Sequence, residues 1–337
     1  MGYSTLSVSI PASLVKQHHL SAGDSVLLRE DVDGTIRLIP GAGNKGKSRI
    51  TIRASEIEDP ALLSRLVVGS YALGLDAIEI AGKNQLGLAT TDRLRSTIKR
   101  LKGLEVVDVQ SDKLSAQSFI DPTKFPVDAL IKRVKILVSR SMDVFIEALD
   151  PQRSTAGAIG EIQRTQEEVD ELYWLIVRQL LVALNRREMA AEIGIDSPLH
   201  ASGDRVMTKA LTQVGRIVLD MSQELAMMKG SGVVMSKSTV DRIKQLAVAT
   251  RGAFNITTES FQTPDIKLVK EAVRSTNEAL ELAKQTSREF LEVEDHGYSR
   301  ILVSCLGQIA SHCDVMMEIT FHRLLRKTSR AATIQFS

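Results

Sequence analysis

Apolar and polar positions alternate with period two at the start of the chain. "TLSVSIP", residues 5–11, predicts a strand on that pattern. Pro11 then opens "PASLVKQHHL", where Leu14, Val15 and Leu20 fall on one side of a short helix. "SAGD" reads as a turn. "SVLLRE" and "TIRLIP" are strands joined at "DVDG", a hairpin signal because Asp-Gly supplies the positive φ angles of a tight turn. "GAGNKGKS", residues 41–48, has no large apolar residue and reads as a linker.

From Arg49 to Pro122 the period switches back and forth. "RITIRA" is a strand, and "DPALLSRLVVGSYALG" is a helix with Asp59 as its N-cap, Pro60 in its first turn and Gly74 just past its end. "DAIEIA" is a strand and "TTDRLRSTIKRLKG" a second helix ending at Gly103. "LEVVDVQ" and "KLSAQSFI" complete a βαβαββ order, a small α+β domain.

From Phe125 onward only the helical period is present. Breaks at "DPQRSTAG", "GIDSPLHASGD", "KGSG", "TTESFQTPD" and "EDHG" divide the rest into six helices. The longest expected helix contains "EIQRTQEEVDELYWLIVRQLLVALNRREMAAEIG". "TQVGRIVLDM" and "SCLGQIASHC" share an apolar residue, Gly, a long polar residue and Ile, which places Gly215 and Gly307 about ninety residues apart in the third helix of each half. That spacing reads as two copies of a three-helix bundle. Glycine in a helix interior costs about 1 kcal/mol relative to alanine, so both positions predict close helix approach.

Composition adds limits. The 337 residues are 43% hydrophobic and 4% aromatic, which suits helical cores of aliphatic side chains. A formal charge of +2 leaves no global field to attract nucleic acid or membrane, so a nucleic-acid surface must be local. The two cysteines, Cys305 and Cys313, lie in one helical segment too far apart to bridge, which excludes a disulfide framework and fits a reducing cytoplasm. No run approaches the length of a membrane helix and no leader precedes Tyr3, so the expectation is a cytoplasmic protein.

Candidate chemistry is sparse. Glu167 and Glu171 are four apart beside Asp170, a spacing that can hold a cation with help from another helix or form a solvated helix face. The solvated face is preferred, because this stretch alone supplies too few oxygen ligands. Cys305, His312 and Cys313 lack the short ligand spacing of a zinc site and read as buried thiols with a surface histidine. His18 and His19 either touch phosphate or form a polar face. Arg93, Arg95, Lys99, Arg100 and Lys102 make a basic helix whose Leu94, Ile98 and Leu101 face the core. That helix is a solvated face or a contact for an acidic partner or nucleic acid. Lys45, Lys47 and Arg49 can add phosphate contacts that raise affinity without reading sequence. No catalytic motif is present, although Gly41, four residues, Gly46, Lys47 and Ser48 match the spacing of a phosphate loop. The strand expected after Ser48 argues against it, since a phosphate loop leads into a helix.

The strand into "IP", the short helix, "L-x-x-GD-x-V" and the closing hairpin resemble the SpoVT-AbrB family of swapped-hairpin transcription factors. The helical half resembles the PhoU family of phosphate-uptake regulators: "EEVDELYWLIVRQL", Glu167 to Leu180, matches the second helix of a PhoU bundle. "VGRI" and "LGQI" stand where that family has Leu-Glu-Arg-Ile-Gly-Asp. Archaeal PhoU-type regulators share this domain order. The resemblance implies a multidomain, predominantly α fold: an AbrB-like β-hairpin segment at 1–42, a small α+β domain at 43–122, and two tandem three-helix PhoU-like bundles at 123–232 and 233–337.

Departures from both families shape the expectation. The acidic pairs that hold metal in PhoU proteins are replaced by Gly215 and Leu219, and by Gly307 and Ser311, so no metal or cofactor site is carried over. In the AbrB-like segment an arginine four residues before the proline is Ser7, Lys16 stands at a helix-arginine position, and the family's opening strand has no counterpart ahead of "GYST". The segment is therefore expected to pair with another copy first and to read DNA second. The implied protein is a non-enzymatic regulator of phosphate uptake and homeostasis. Its expected nucleic-acid contacts are Lys16, Lys45, Lys47 and Arg49. Its expected partners are a phosphate transporter ATPase or sensor protein, promoter DNA and a second copy of itself. The alternatives are a nucleotide-binding protein using Lys47 and a structural helical scaffold.

Overall fold

A computed structural model describes residues 7–30, 34–40, 48–57, 59–150, 152–291 and 297–329. The chain divides into two compact units, 1–49 and 50–337.

In the first unit, α1 (Ala12–Gln17) follows Pro11, and a turn closes where Ser21 and Asp24 exchange hydrogen bonds and Gly23 takes φ +98°. β1 (Val26–Glu30) and β2 (Ile36–Pro40) form an antiparallel hairpin in register from Val26 opposite Pro40 to Glu30 opposite Ile36. The strand expected at "TLSVSIP" is not seen over residues 7–10, and 5 and 6 lie outside the described residues. Residues 7–10 pair with neither strand of the described two-stranded sheet, and alternation alone makes no strand unless a neighbour takes up its backbone groups.

The second unit begins with a four-stranded sheet in the order β3-β4-β6-β5. Its strands are β3 (Arg49–Arg53), β4 (Ala77–Ala81), β5 (Leu104–Val109) and β6 (Lys113–Ser118). β6 pairs antiparallel with both β4 and β5. α2 (Pro60–Ala72) starts where the Asp59 carboxylate accepts the Ala61 N–H at 2.7 Å, with Pro60 in its first turn. It is followed by Gly74 at φ +84°. α3 (Leu88–Lys99) buries Leu94 and Ile98, and Leu101 just beyond its end is buried as well. These side chains meet Leu63, Val67, Tyr71, Ile78, Ile80 and Leu114 in one apolar core. The period-two and 3.6-period patterns thus face each other across one layer of sheet and one of helix.

The remaining elements are helices: α4 (Val127–Ala148), α5 (Thr155–Asn185), α6 (Arg187–Ile193), α7 (Pro198–Gly230), α8 (Lys237–Gln262), α9 (Ile266–Glu289) and α10 (Tyr298–Ser329). α4, α5 and α7 pack pairwise, as do α8, α9 and α10, and α7 meets α10 while α4 meets α8. A single apolar cluster runs through both sets, from Val127 to Ile319. α7, α8 and α9 each begin at a side-chain cap, Ser197, Ser236 and Asp265 respectively.

One expected helix is broken. Arg186 leaves the helical region at φ −117° and ψ 75°, so α5 ends at Asn185 and α6 becomes a seventh helix. Tertiary contacts override the local period here. Arg186 pairs with Asp76 at 3.0 Å, and α6 packs on the turn at Pro122–Lys124.

Gly215 lies mid-way along α7 and Gly307 about a third of the way along α10, the third helices of the two sets. A Cβ at Gly215 would collide with the Gln166 side chain and press on Val138, as expected for close approach. A Cβ at Gly307 would meet only Ala283 Cβ at 3.6 Å, an ordinary contact, because the facing residue is already small. The close approach expected at both glycines therefore holds at one.

Candidate nucleic-acid interface and charged clusters

The first unit leaves several large apolar side chains on the outside. Val8, Leu14, Leu27, Leu28 and Ile36 are all exposed, and no described side chain of this unit is buried. A two-stranded hairpin with no buried face is marginal in water and needs cover. Lys16 is exposed in the last turn of α1, and Arg49 is exposed at the start of β3. Lys45 and Lys47 lie outside the described residues. His18 caps the C-terminus of α1 and His19 adopts φ +52°, a left-handed conformation that turns the chain out of the helix.

Residues 1–46 match the family model described as antidote-toxin recognition MazE, bacterial antitoxin. The match falls on the segment that resembles SpoVT-AbrB, so the chain has an AbrB/MazE-like N-terminal segment. No curated protein and no solved structure matches the chain.

In the second unit, the acidic stretch on α5 is occupied by local partners. Glu171 accepts from Lys102 Nζ at 2.8 Å, Asp170 is paired with Arg216 and accepts from Gln166, and Glu167 faces Gln163. Their carboxylates line a cavity of about 560 Å³ between α2, α3, α5 and α7, together with Arg65, Arg100, Tyr173, Trp174 and Lys209. Cys305, His312 and Cys313 do not gather into a three-donor group. Cys313 is fully buried, which pushes its thiol up to about 12, and burial together with Asp220 and Glu224 also raises Cys305.

Among the described residues the three-donor group is Asp128, His200 and Asp204, one donor atom of each lying within 4.8 Å of the others. These residues belong to no recognised motif in the sequence. A signal was present: Asp196, His200 and Asp204 recur every fourth position across the start of α7, which puts them on one helix face. Asp196 Oδ1 lies 2.9 Å from His200 Nδ1. Burial works to raise the Asp196 carboxyl, but His200 and Arg326 outweigh it and hold the group below the usual carboxylate range. Burial lowers His200, and Arg326 adds to the effect. Asp204, 1% exposed, is pushed up to about 7 by burial, with Arg323 pulling the other way. Arg323 stacks 4.4 Å above the Phe261 ring and grips both Asp128 oxygens, at 2.8 and 3.0 Å. α4, α7 and α10 thus bring together charges up to 195 positions apart.

Among the described residues no helix is long and apolar enough to cross a membrane.

Proposed function

We propose that this protein is a non-catalytic regulator. Its AbrB/MazE-like segment pairs two copies and contacts promoter DNA, and its helical unit responds to phosphate status in the cytoplasm. The observation that carries this reading is the family match over residues 1–46, on a segment whose apolar side chains are exposed in the single chain. Two hairpins placed face to face cover those side chains. Lys16, Lys45, Lys47 and Arg49 then occur twice, doubling a modest positive patch.

The phosphate role rests on the resemblance of "EEVDELYWLIVRQL" and the paired "VGRI" and "LGQI" segments to the archaeal PhoU type. In support, α4, α5 and α7 form one pairwise-packed set and α8, α9 and α10 another. On this reading the sets are the two PhoU-like bundles, 123–232 and 233–337, behind the small domain at 43–122, and their outer faces dock a transporter ATPase or a sensor protein. The description of the matching family favours a second reading, in which the segment recognises a toxin protein. A phosphate-loop role for Lys47 fits less well, because Ser48 leads into β3 and no helix N-terminus follows to meet a phosphate.

The test is a titration of the full chain with promoter DNA of a phosphate-uptake operon at several salt concentrations, with unrelated DNA beside it. Weak binding with a steep salt dependence is expected. Each neutralised phosphate contributes about −0.9 to the slope of log K against log salt, so Lys16→Ala in a dimer lowers the slope by about 2. Absence of binding at low salt defeats the DNA role.

A further inference from the structure

His200 and Asp204 present two buried acceptors to each other. The ionised Asp196 carboxylate carries no hydrogen, so the 2.9 Å contact to His200 Nδ1 requires the ring proton to sit on Nδ1. Nε2 is then left with its lone pair. It faces Asp204 Oδ2 at 3.3 Å, and neither atom has a hydrogen-bond partner among the described residues. His200 is 8% exposed and Asp204 1%, so bulk solvent screens the pair poorly. Two opposed lone pairs in a site this enclosed repel unless a proton or a metal ion sits between them.

The surroundings favour a cation. Asp128 brings a third donor within 4.8 Å. Three carboxylates, Asp128, Asp196 and Asp204, gather with two guanidiniums, Arg323 and Arg326, around the His200 ring. A cavity of about 250 Å³ opens beside the pair, with Glu318 and His322 on its wall, which leaves room for water ligands and a path for entry. The Asp196–His200 contact is the arrangement that fixes a metal-ligating imidazole: a carboxylate on one ring nitrogen sets the tautomer and aims the other.

We propose that His200 Nε2, Asp204 Oδ2 and an Asp128 oxygen bind one divalent first-row transition ion per chain, with Asp196 as the positioning residue for His200. An imidazole nitrogen with carboxylates suits zinc, manganese or iron, whereas magnesium and calcium prefer oxygen alone. The ion ties the start of α7 to the start of α4, next to the point where Arg323 of α10 holds Asp128. This site is separate from the third-helix positions 215, 219, 307 and 311.

The experiment uses the full chain, stripped with chelator and titrated calorimetrically at pH 7.5 with Zn²⁺, Mn²⁺ and Mg²⁺ in turn. One Zn²⁺ per chain is expected and no heat from Mg²⁺. Asp204→Asn and His200→Gln abolish binding, and Asp196→Asn weakens it about 10- to 100-fold. X-ray absorption on the zinc-loaded wild-type chain, which depends on no variant, shows an imidazole and an oxygen shell. The proposal is overturned by a wild type that takes up no zinc, by Asp204→Asn that titrates as the wild type does, or by sulfur in the zinc shell.

Discussion

Arg178 on α5 lies buried with its guanidinium 4.9 Å above the Tyr71 ring, and its NH1 donates to the Tyr71 carbonyl at 2.6 Å. The same group donates to the Leu75 carbonyl at 3.0 Å and to Ser118 Oγ at 3.2 Å. One side chain of the helical set thus closes the C-terminal end of α2 and the end of β6. Glu171, Trp174, Arg178 and Val182 follow at helical spacing, and each meets the α/β layer: Lys102, the apolar core, Tyr71 and Gly74 respectively.

Removing that guanidinium orphans buried acceptors and leaves a void. Arg178→Ala is expected to cost about 3 kcal/mol of unfolding free energy. Urea denaturation followed by Trp174 fluorescence measures it, since Trp174 packs on the α/β core. A loss under about 1 kcal/mol would show that water replaces the contact.

Tyr71 makes the fold lose stability on the alkaline side. Burial pushes its hydroxyl from 10.0 to about 12, partly opposed by Arg178, and the hydroxyl donates to the Lys102 carbonyl at 2.8 Å. The folded pKa is the higher one, so between pH 10 and 12 the unfolded chain has lost a proton that the folded chain keeps. This contribution is complete below pH 10 and falls by about 3 kcal/mol as pH rises through 12. Denaturant midpoints across that range, compared with Tyr71→Phe, isolate the effect; parallel curves would refute it.

The two helix-interior glycines should answer alanine in opposite ways. Gly307→Ala places a Cβ in ordinary contact and gains helix propensity, up to about 1 kcal/mol more stable. Gly215→Ala drives into Gln166, which is 3% exposed and bonded to Asp170, so it should destabilise by about 1 kcal/mol or more. Thermal melts of both variants decide the matter, and equal shifts would remove the distinction.

Thiol reactivity follows burial. Cys313 is fully buried with its thiol near 12, whereas Cys305 is only half-buried. Alkylation at pH 8 with peptide mapping should modify Cys305 first and reach Cys313 only on unfolding. Equal labelling rates in the folded chain would contradict this packing.

Deleting residues 1–40 tests the pairing role. The truncated chain should change oligomeric state in light scattering while keeping its helical far-UV signal. An unchanged oligomer would assign pairing to another surface.

Much of the local structure was legible from the sequence because it is decided within a few residues. Asp59-Pro60 and Gly74 bracket α2, the Leu94, Ile98, Leu101 stripe sets the buried face of α3, and Gly34, at φ +80°, sits between β1 and β2. Caps, turns and amphipathic periods need no knowledge of distant partners. What tertiary structure alone decided depends on which surfaces meet. Residues 7–10 alternate like a strand but pair with no strand among the described residues, and α5 stops at Asn185 because Arg186 reaches Asp76. Gly307 is relaxed because its neighbour is Ala283, whereas Gly215 faces a glutamine. Asp196, His200 and Asp204 were visible as a four-residue spacing, but such a stripe is ordinary on a solvated helix. It becomes a partly buried charged cluster only because α4 brings Asp128, α8 brings Phe261 and α10 brings Arg323 from distant parts of the chain. Burial removes most of the water that would otherwise screen those charges, and the spacing of polar residues does not record burial.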